Sequence, residues 1–349
     1  MYRTFFGLNY APFNMAPDAR VLFKTEQHLE SLAGLTYTIL NRKGLAVLTG
    51  DAGTGKTTLL TRTLQTVAEH GVRSSMIFHP TLSIDDFLEL VLLDFGISEV
   101  PASKAQRLTC LQQFLLSGHE QGKISVLIVD EAHKLSTALL EEIRLLGNFD
   151  HGGEKLLQIL LIGQSELSDM LNRHDLRQLK QRVAVRLTVA ALSYPQVEQY
   201  LRYRWRQAGG GDRLPFADGV VDEIAAVTKG NPRSINAVCD SALLQAFAEG
   251  SGTVNAGHIR EAARDLQLTP ARPASPTFAP ANGSAGNGQL SAPLPAAREA
   301  IEHLDHVDDA DGVTSMSGPI RVPDFCTLRP PLIARWAIRL RLVHAKGSV

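Results

Sequence analysis

The stretch Gly50-Asp51-Ala52-Gly53-Thr54-Gly55-Lys56-Thr57 restricts the possible folds of this chain more than any other. It fits the pattern G-x-x-x-x-G-K-[ST], with an apolar run, Leu45 to Thr49, directly before it and a helical pattern, Thr57 to Glu69, directly after. A strand, a glycine-rich turn and a helix in that order aim consecutive backbone N–H groups at phosphate oxygens, and the helix adds the positive end of its dipole. The candidate nucleotide-binding residues are therefore Gly50, Asp51, Ala52, Gly53, Thr54, Gly55, Lys56, Thr57 and Thr58. Lys56 has the reach for β- and γ-phosphates, and the Thr57 hydroxyl is placed to bind Mg²⁺.

The segments around this loop alternate between strand and helix. Apolar runs at Ser75–His79, Val126–Val129, Leu156–Ile162 and Val183–Val189 alternate with helical periodicity at Ile84–Phe95, Lys104–His119, Thr137–Leu146 and Ser168–Lys180. Unbroken apolar strands are those of a parallel sheet buried on both faces. The expectation is a doubly wound α/β fold of the P-loop NTPase class, with ligands bound beyond the carboxyl ends of the strands. An aromatic arm, with Phe5, Phe6, Tyr10 and Phe13, leads into a helical pattern at Glu26–Leu40. Its rings would either flank a nucleotide base or pack as an arm on the core.

After Ser193 the strands stop, and helical patterns follow at Tyr194–Gln207, Asp218–Thr228, Pro232–Ala248 and Ala256–Leu266, separated by glycine-containing turns. The organisation expected is an α/β core with its arm over 1–192, a small helical lid over 193–268, and a linker and tail over 269–349. Residues 269–297 have the Pro, Ala, Ser and Gly content of a flexible linker. In the basic segment near the end, Ile333, Trp336, Ala337 and Leu340 can share one helix face, so 331–344 reads as an unstructured tail or as an amphipathic helix for a membrane surface or partner.

Average charge selects no partner, because 35 Lys and Arg oppose 36 Asp and Glu. The cysteines, Cys110, Cys239 and Cys326, are far apart and odd in number, which suits a reducing compartment. Without a signal-peptide core or a spanning apolar run, a cytoplasmic location is expected, peripheral at the inner face of the cytoplasmic membrane if the basic tail binds there.

Chemistry concentrates at strand ends. Asp130 follows the run Val126–Val129, where a P-loop ATPase carries the carboxylate that holds Mg²⁺ with Thr57. Glu131 beside it is suited to orient and polarise an attacking water. His133 reads either as a loop residue or as a sensor of nucleotide state. Gln164 ends the next strand, in reach of a γ-phosphate or the water. Arg182 stands at a helix-to-strand junction from which an arginine can enter a neighbouring subunit's site, with Arg173 and Arg177 as competitors. Arg233 lies in the first turn of a helix, where a cation works against the helix dipole, so phosphate binding is the reason offered for it.

Together the phosphate loop, Asp130-Glu131, the strand ending in Gly163-Gln164, the turn Gly230-Asn231-Pro232-Arg233 and the opening Tyr2-x-x-Phe5-Phe6-Gly7-Leu8 with Pro12-Phe13 resemble the AAA+ secretion ATPases of the ExeA or GspA type, with their pilus and exopolysaccharide relatives. The resemblance covers about 1–268. It implies an ATP- and Mg²⁺-dependent homo-oligomer, ring-like, that serves envelope secretion or export machinery, with Gln164 as sensor 1, Arg233 as sensor 2 and Arg182 as the finger. Secretion members often continue into a membrane helix and a periplasmic peptidoglycan-binding domain; neither is seen in this sequence, so no direct cell-wall role is expected.

Two alternatives remain open. A DNA-associated ATPase shares this architecture and a similar lid turn. A nucleotide-binding adaptor that hydrolyses little fits less well, because a pure switch has less need of Glu131.

Overall fold

The computed structural model describes residues 2–15, 22–78 and 80–268. The chain divides into two compact units, Met1–Ala300 and Ile301–Val349, and every described residue belongs to the first. The linker and the amphipathic segment at 331–344 lie outside the described residues.

The elements in chain order are α1 (Tyr2–Phe5), α2 (Glu26–Leu40), β1 (Leu45–Thr49), α3 (Lys56–Val67), β2 (Val72–Ile77), α4 (Ile84–Phe95), α5 (Lys104–Glu120), β3 (Ile124–Val129), α6 (Thr137–Leu146), β4 (Asp150–His151), β5 (Glu154–Lys155), β6 (Leu157–Gly163), α7 (Glu166–Leu171), α8 (Arg177–Arg182), β7 (Val183–Thr188), α9 (Tyr194–Gln207), α10 (Val220–Thr228), α11 (Pro232–Ala248) and α12 (Ala256–Asp265). Side-chain caps set many of the helix starts: Thr25, Ser83, Ser103, Ser136, Asn231 and Asn255 each accept backbone N–H groups of the first turn.

Five strands form one parallel sheet in the order β2-β3-β6-β1-β7. β1, β3 and β6 are buried along their whole length, which is why their sequences are mostly apolar; the buried polar exceptions are Thr49, Ser125 and Gln158. β7 is an edge strand and alternates between exposed and more buried residues. The register sets the site: Thr49 pairs with Gly163 and Val129 with Leu161, so the loop after β1, Asp130 after β3 and Gln164 after β6 leave the sheet at the same end.

One helix was misread. The periodicity of Ser168–Lys180 suggests a single helix, but the chain breaks into α7, a 3₁₀ turn at His174–Leu176, and α8. The Arg173 side chain bonds Asp175 at 2.7 Å across this break, and Leu171, Leu176 and Leu179 all enter the core despite it. The short β4–β5 hairpin and α1 carry too little pattern to be read beforehand.

Helices α9 to α12 enclose a second apolar cluster, and the N-terminal arm belongs to it. Phe13 is fully buried there, a side chain whose truncation to alanine costs about 3–5 kcal/mol. Phe6 meets Trp205 edge-on, Phe5 meets Phe247, and the Tyr2 hydroxyl donates to Asp240. The arm, grouped above with the α/β core, therefore packs on the helices. Gly230, at φ +72°, ties the helices to the sheet: its carbonyl accepts the Leu192 N–H at 2.8 Å, and any side chain at 230 would strike the Leu192 carbonyl.

Candidate functional site

The loop between β1 and α3 wraps into a cradle because its glycines take conformations closed to other residues, with φ of +86° at Gly53 and +99° at Gly55. Gly55 begins α3 with no side-chain cap, so the first N–H groups of that helix remain available to an anion. Lys56 is buried, and its ammonium donates to the carbonyls of Gly50 at 2.6 Å and Asp51 at 2.8 Å. Burial pushes its pKa down, while the carboxylates of Asp130, Glu131 and Asp51 pull it back up. An anionic ligand would favour the charged form further.

One cavity is lined by Ala52 to Thr58 of the loop, by Asp130 and Glu131 at the end of β3, and by Arg233 of α11. Asp130 Oδ1 accepts the Glu131 N–H at 2.8 Å. Burial raises the Asp130 pKa, partly offset by that bond, as for a carboxylate placed to meet a cation. Glu131 itself has φ +54°, a left-handed conformation that costs a non-glycine residue free energy, and here it falls at the site. Its carboxylate lies 3.5 Å from His133 Nε2 and 3.3 Å from Lys134 Nζ. His133 Nδ1 accepts the backbone N–H of Gln164 at 3.3 Å, which leaves the ring proton on Nε2, facing Glu131.

The far wall is built by α2, the arm and the helices. His28 of α2 is buried, held by Thr25 Oγ1 at 2.6 Å, and bonded to the backbone at Thr54. Asn14, Met15 and Phe23 of the arm also line the cavity, as do Tyr200, Arg204 and Asn236 of the helices. Arg204 is 8 % exposed and donates to the Pro12 carbonyl at 2.7 Å; the Tyr200 hydroxyl donates to Asn236 Oδ1 at 2.8 Å. These residues carry no motif, since the partners of Arg204 stand more than a hundred positions away in the chain.

The cavity thus gathers Lys56, Thr57, Thr58, Asp130, Glu131 and Arg233. Gln164 is joined to it only through its backbone and His133. Arg182 does not line it: its guanidinium donates to the Arg144 carbonyl at 3.2 Å and to Asn148, at the opposite end of the sheet where β7 starts. The hydroxyl of Thr57 and the carboxylate of Asp130 are hard oxygen donors beside a phosphate cradle, the donor set that suits Mg²⁺.

The family model described as AAA domain matches residues 39–171, from the end of α2 to α7. Most of the α/β part that builds this site thus resembles an AAA domain. The chain is also 38% identical over 270 residues to general secretion pathway protein A of Aeromonas hydrophila, covering 76% of this chain. The resemblance read from the motifs therefore holds, although the chain spans only 48% of that relative's length. Among solved structures, the ORC2 protein of Aeropyrum pernix in ADPNP–ADP complexes superposes with a TM-score of 0.54 at 17% identity, over 74% of this chain and 72% of that one. The ORC1 protein of the same organism, solved in complex with DNA, gives 0.55 at 18%, over 73% and 69%. Both likenesses establish the shared AAA fold.

Proposed function

We propose that this chain is an ATPase that hydrolyses ATP to ADP and phosphate with Mg²⁺, works as a homo-oligomer, and drives or assembles an envelope secretion or export machine. The convergence of Lys56, Thr57, Asp130, Glu131 and Arg233 on one cavity carries the proposal. In this reading the α/β part of 1–192 supplies the catalytic core, and 193–268, with the arm packed on it, the lid.

The loop amides and Lys56 bind the phosphates. Thr57 and Asp130 would hold Mg²⁺, which when bound neutralises phosphate charge. Glu131 accepts a proton from the attacking water, and its fixed backbone conformation aims the carboxylate. His133 and Gln164 link that carboxylate to the end of β6. Arg233 meets the γ-phosphate from the lid, and Arg182 serves a neighbouring subunit. The secretion assignment rests on the likeness to general secretion pathway protein A.

Steady-state hydrolysis by the purified chain tests the activity. Turnover should require Mg²⁺ and vanish in Lys56→Ala; turnover that persists in that variant would remove the cradle from the mechanism. Titration with duplex DNA at several salt concentrations tests the assignment, because steep salt-dependent affinity with stimulated turnover would favour a chromosomal role.

A further inference from the structure

We propose that Asn231 is a positioning residue that latches the helical lid to the backbone of the phosphate loop, so that through Asn231 the lid follows the loop's conformation, separately from the γ-phosphate contact of Arg233. The inference rests on the nucleotide-binding reading of that loop.

The Asn231 carboxamide is divided between two elements. Its Oδ1 accepts the N–H groups of Arg233 at 3.0 Å and Ser234 at 3.3 Å, capping α11. Its Nδ2 donates to the Ala52 carbonyl of the phosphate loop at 2.7 Å. The adjacent Arg233 N–H points to the Gly53 carbonyl at 3.3 Å. The carboxamide offers its acceptor and its donor on two separate atoms; Asp caps but has no donor, and the shorter Ser carries both functions on one oxygen committed to the cap.

The loop is shaped for this contact. Gly53 is left-handed at φ +86°, which already calls for glycine, and the lid packs directly against the side that has no Cβ. A Cβ at 53 would lie 2.6 Å from both Arg233 Cβ and Asn231 Oδ1. When the loop turns its N–H groups inward on phosphate, carbonyls such as those of Ala52 and Gly53 turn outward, which presents them to Asn231. α- and β-phosphates suffice for that ordering, so the latch should respond alike to di- and triphosphate. The Arg233 side chain, by contrast, needs the third phosphate.

The test is equilibrium binding of ADP and of a non-hydrolysable ATP analogue, with Mg²⁺, to the full chain and to Asn231→Ser, Asn231→Asp and Arg233→Ala. Asn231→Ser should weaken both nucleotides by the same factor, about 2- to 10-fold for one lost hydrogen bond. Arg233→Ala should weaken the triphosphate preferentially. With no nucleotide added both Asn231 variants keep the cap, so any fall in their melting temperature should stay within that of one lost hydrogen bond. Unchanged affinity in Asn231→Ser, or a loss confined to the triphosphate, would each overturn the latch. If the wild-type chain binds neither nucleotide, the reading of the loop itself fails, and the latch with it.

Discussion

The imidazole of His133 stands between the carboxylate of Glu131, 3.5 Å from its Nε2, and the backbone N–H of Gln164, 3.3 Å from its Nδ1. The two strand ends that face the cavity are therefore joined through one ring, and the orientation of Glu131 depends on the position of β6. His133→Ala should lower kcat by about 10-fold or more with KM for ATP nearly unchanged, because the residue touches Glu131, proposed above to orient the water, and does not line the cavity. An equal loss in kcat/KM arising wholly from KM would assign His133 to binding instead.

His28 makes a pH prediction. Burial, the larger effect, lowers its pKa below the ordinary 6.5, and the bond to Thr54 opposes this in part. The unfolded chain then takes up the proton more readily than the folded one, so stability rises with pH across this window. The contribution of His28 is complete above pH 6.5 and is lost as the pH falls through the lowered value. Melting temperatures of the wild type should drop on acidification from about pH 7 to pH 5, ahead of most carboxylate titration, and His28→Gln should flatten that slope. Parallel curves for the two proteins would show that His28 does not set it.

Arg182 is tested by mixing. Its bonds to Arg144 and Asn148 hold it at the end of β7 away from its own cavity, so any role in hydrolysis is in a neighbour. Arg182→Ala should reduce turnover about 10³-fold or more in the assembled state. Adding Lys56→Ala protein, itself inactive but with Arg182 intact, should restore part of the activity. Absence of rescue at every ratio, with assembly verified, would count against an intersubunit role for Arg182.

Where local signals agree, the chain could be read without a structure. α4, α6, α9 and α11 start and stop where their periodicity does, because Ser83, Ser136, Ser193 and Asn231 stand directly before the first helical residues. The side of the cavity formed by Lys56, Asp130 and Glu131 was legible for the same reason: each follows a buried strand within a short motif. The opposite wall was not. His28, Tyr200 and Arg204 meet the loop and arm only through tertiary packing, and nothing in spacing marks a histidine two residues into α2 as a neighbour of Thr54. The break between α7 and α8 was hidden because neither Gly nor Pro interrupts Asn172 to Leu176.

The central claim is that Glu131, strained at φ +54° beside the Mg²⁺-binding residues proposed above, drives hydrolysis. The most direct measurement is the single-turnover rate of Glu131→Gln with radiolabelled ATP, alongside its affinity for the same nucleotide. The account predicts wild-type affinity with hydrolysis slowed about 10²- to 10⁴-fold, the range of a lost general base. Hydrolysis at the wild-type rate in a variant that binds ATP normally would contradict it.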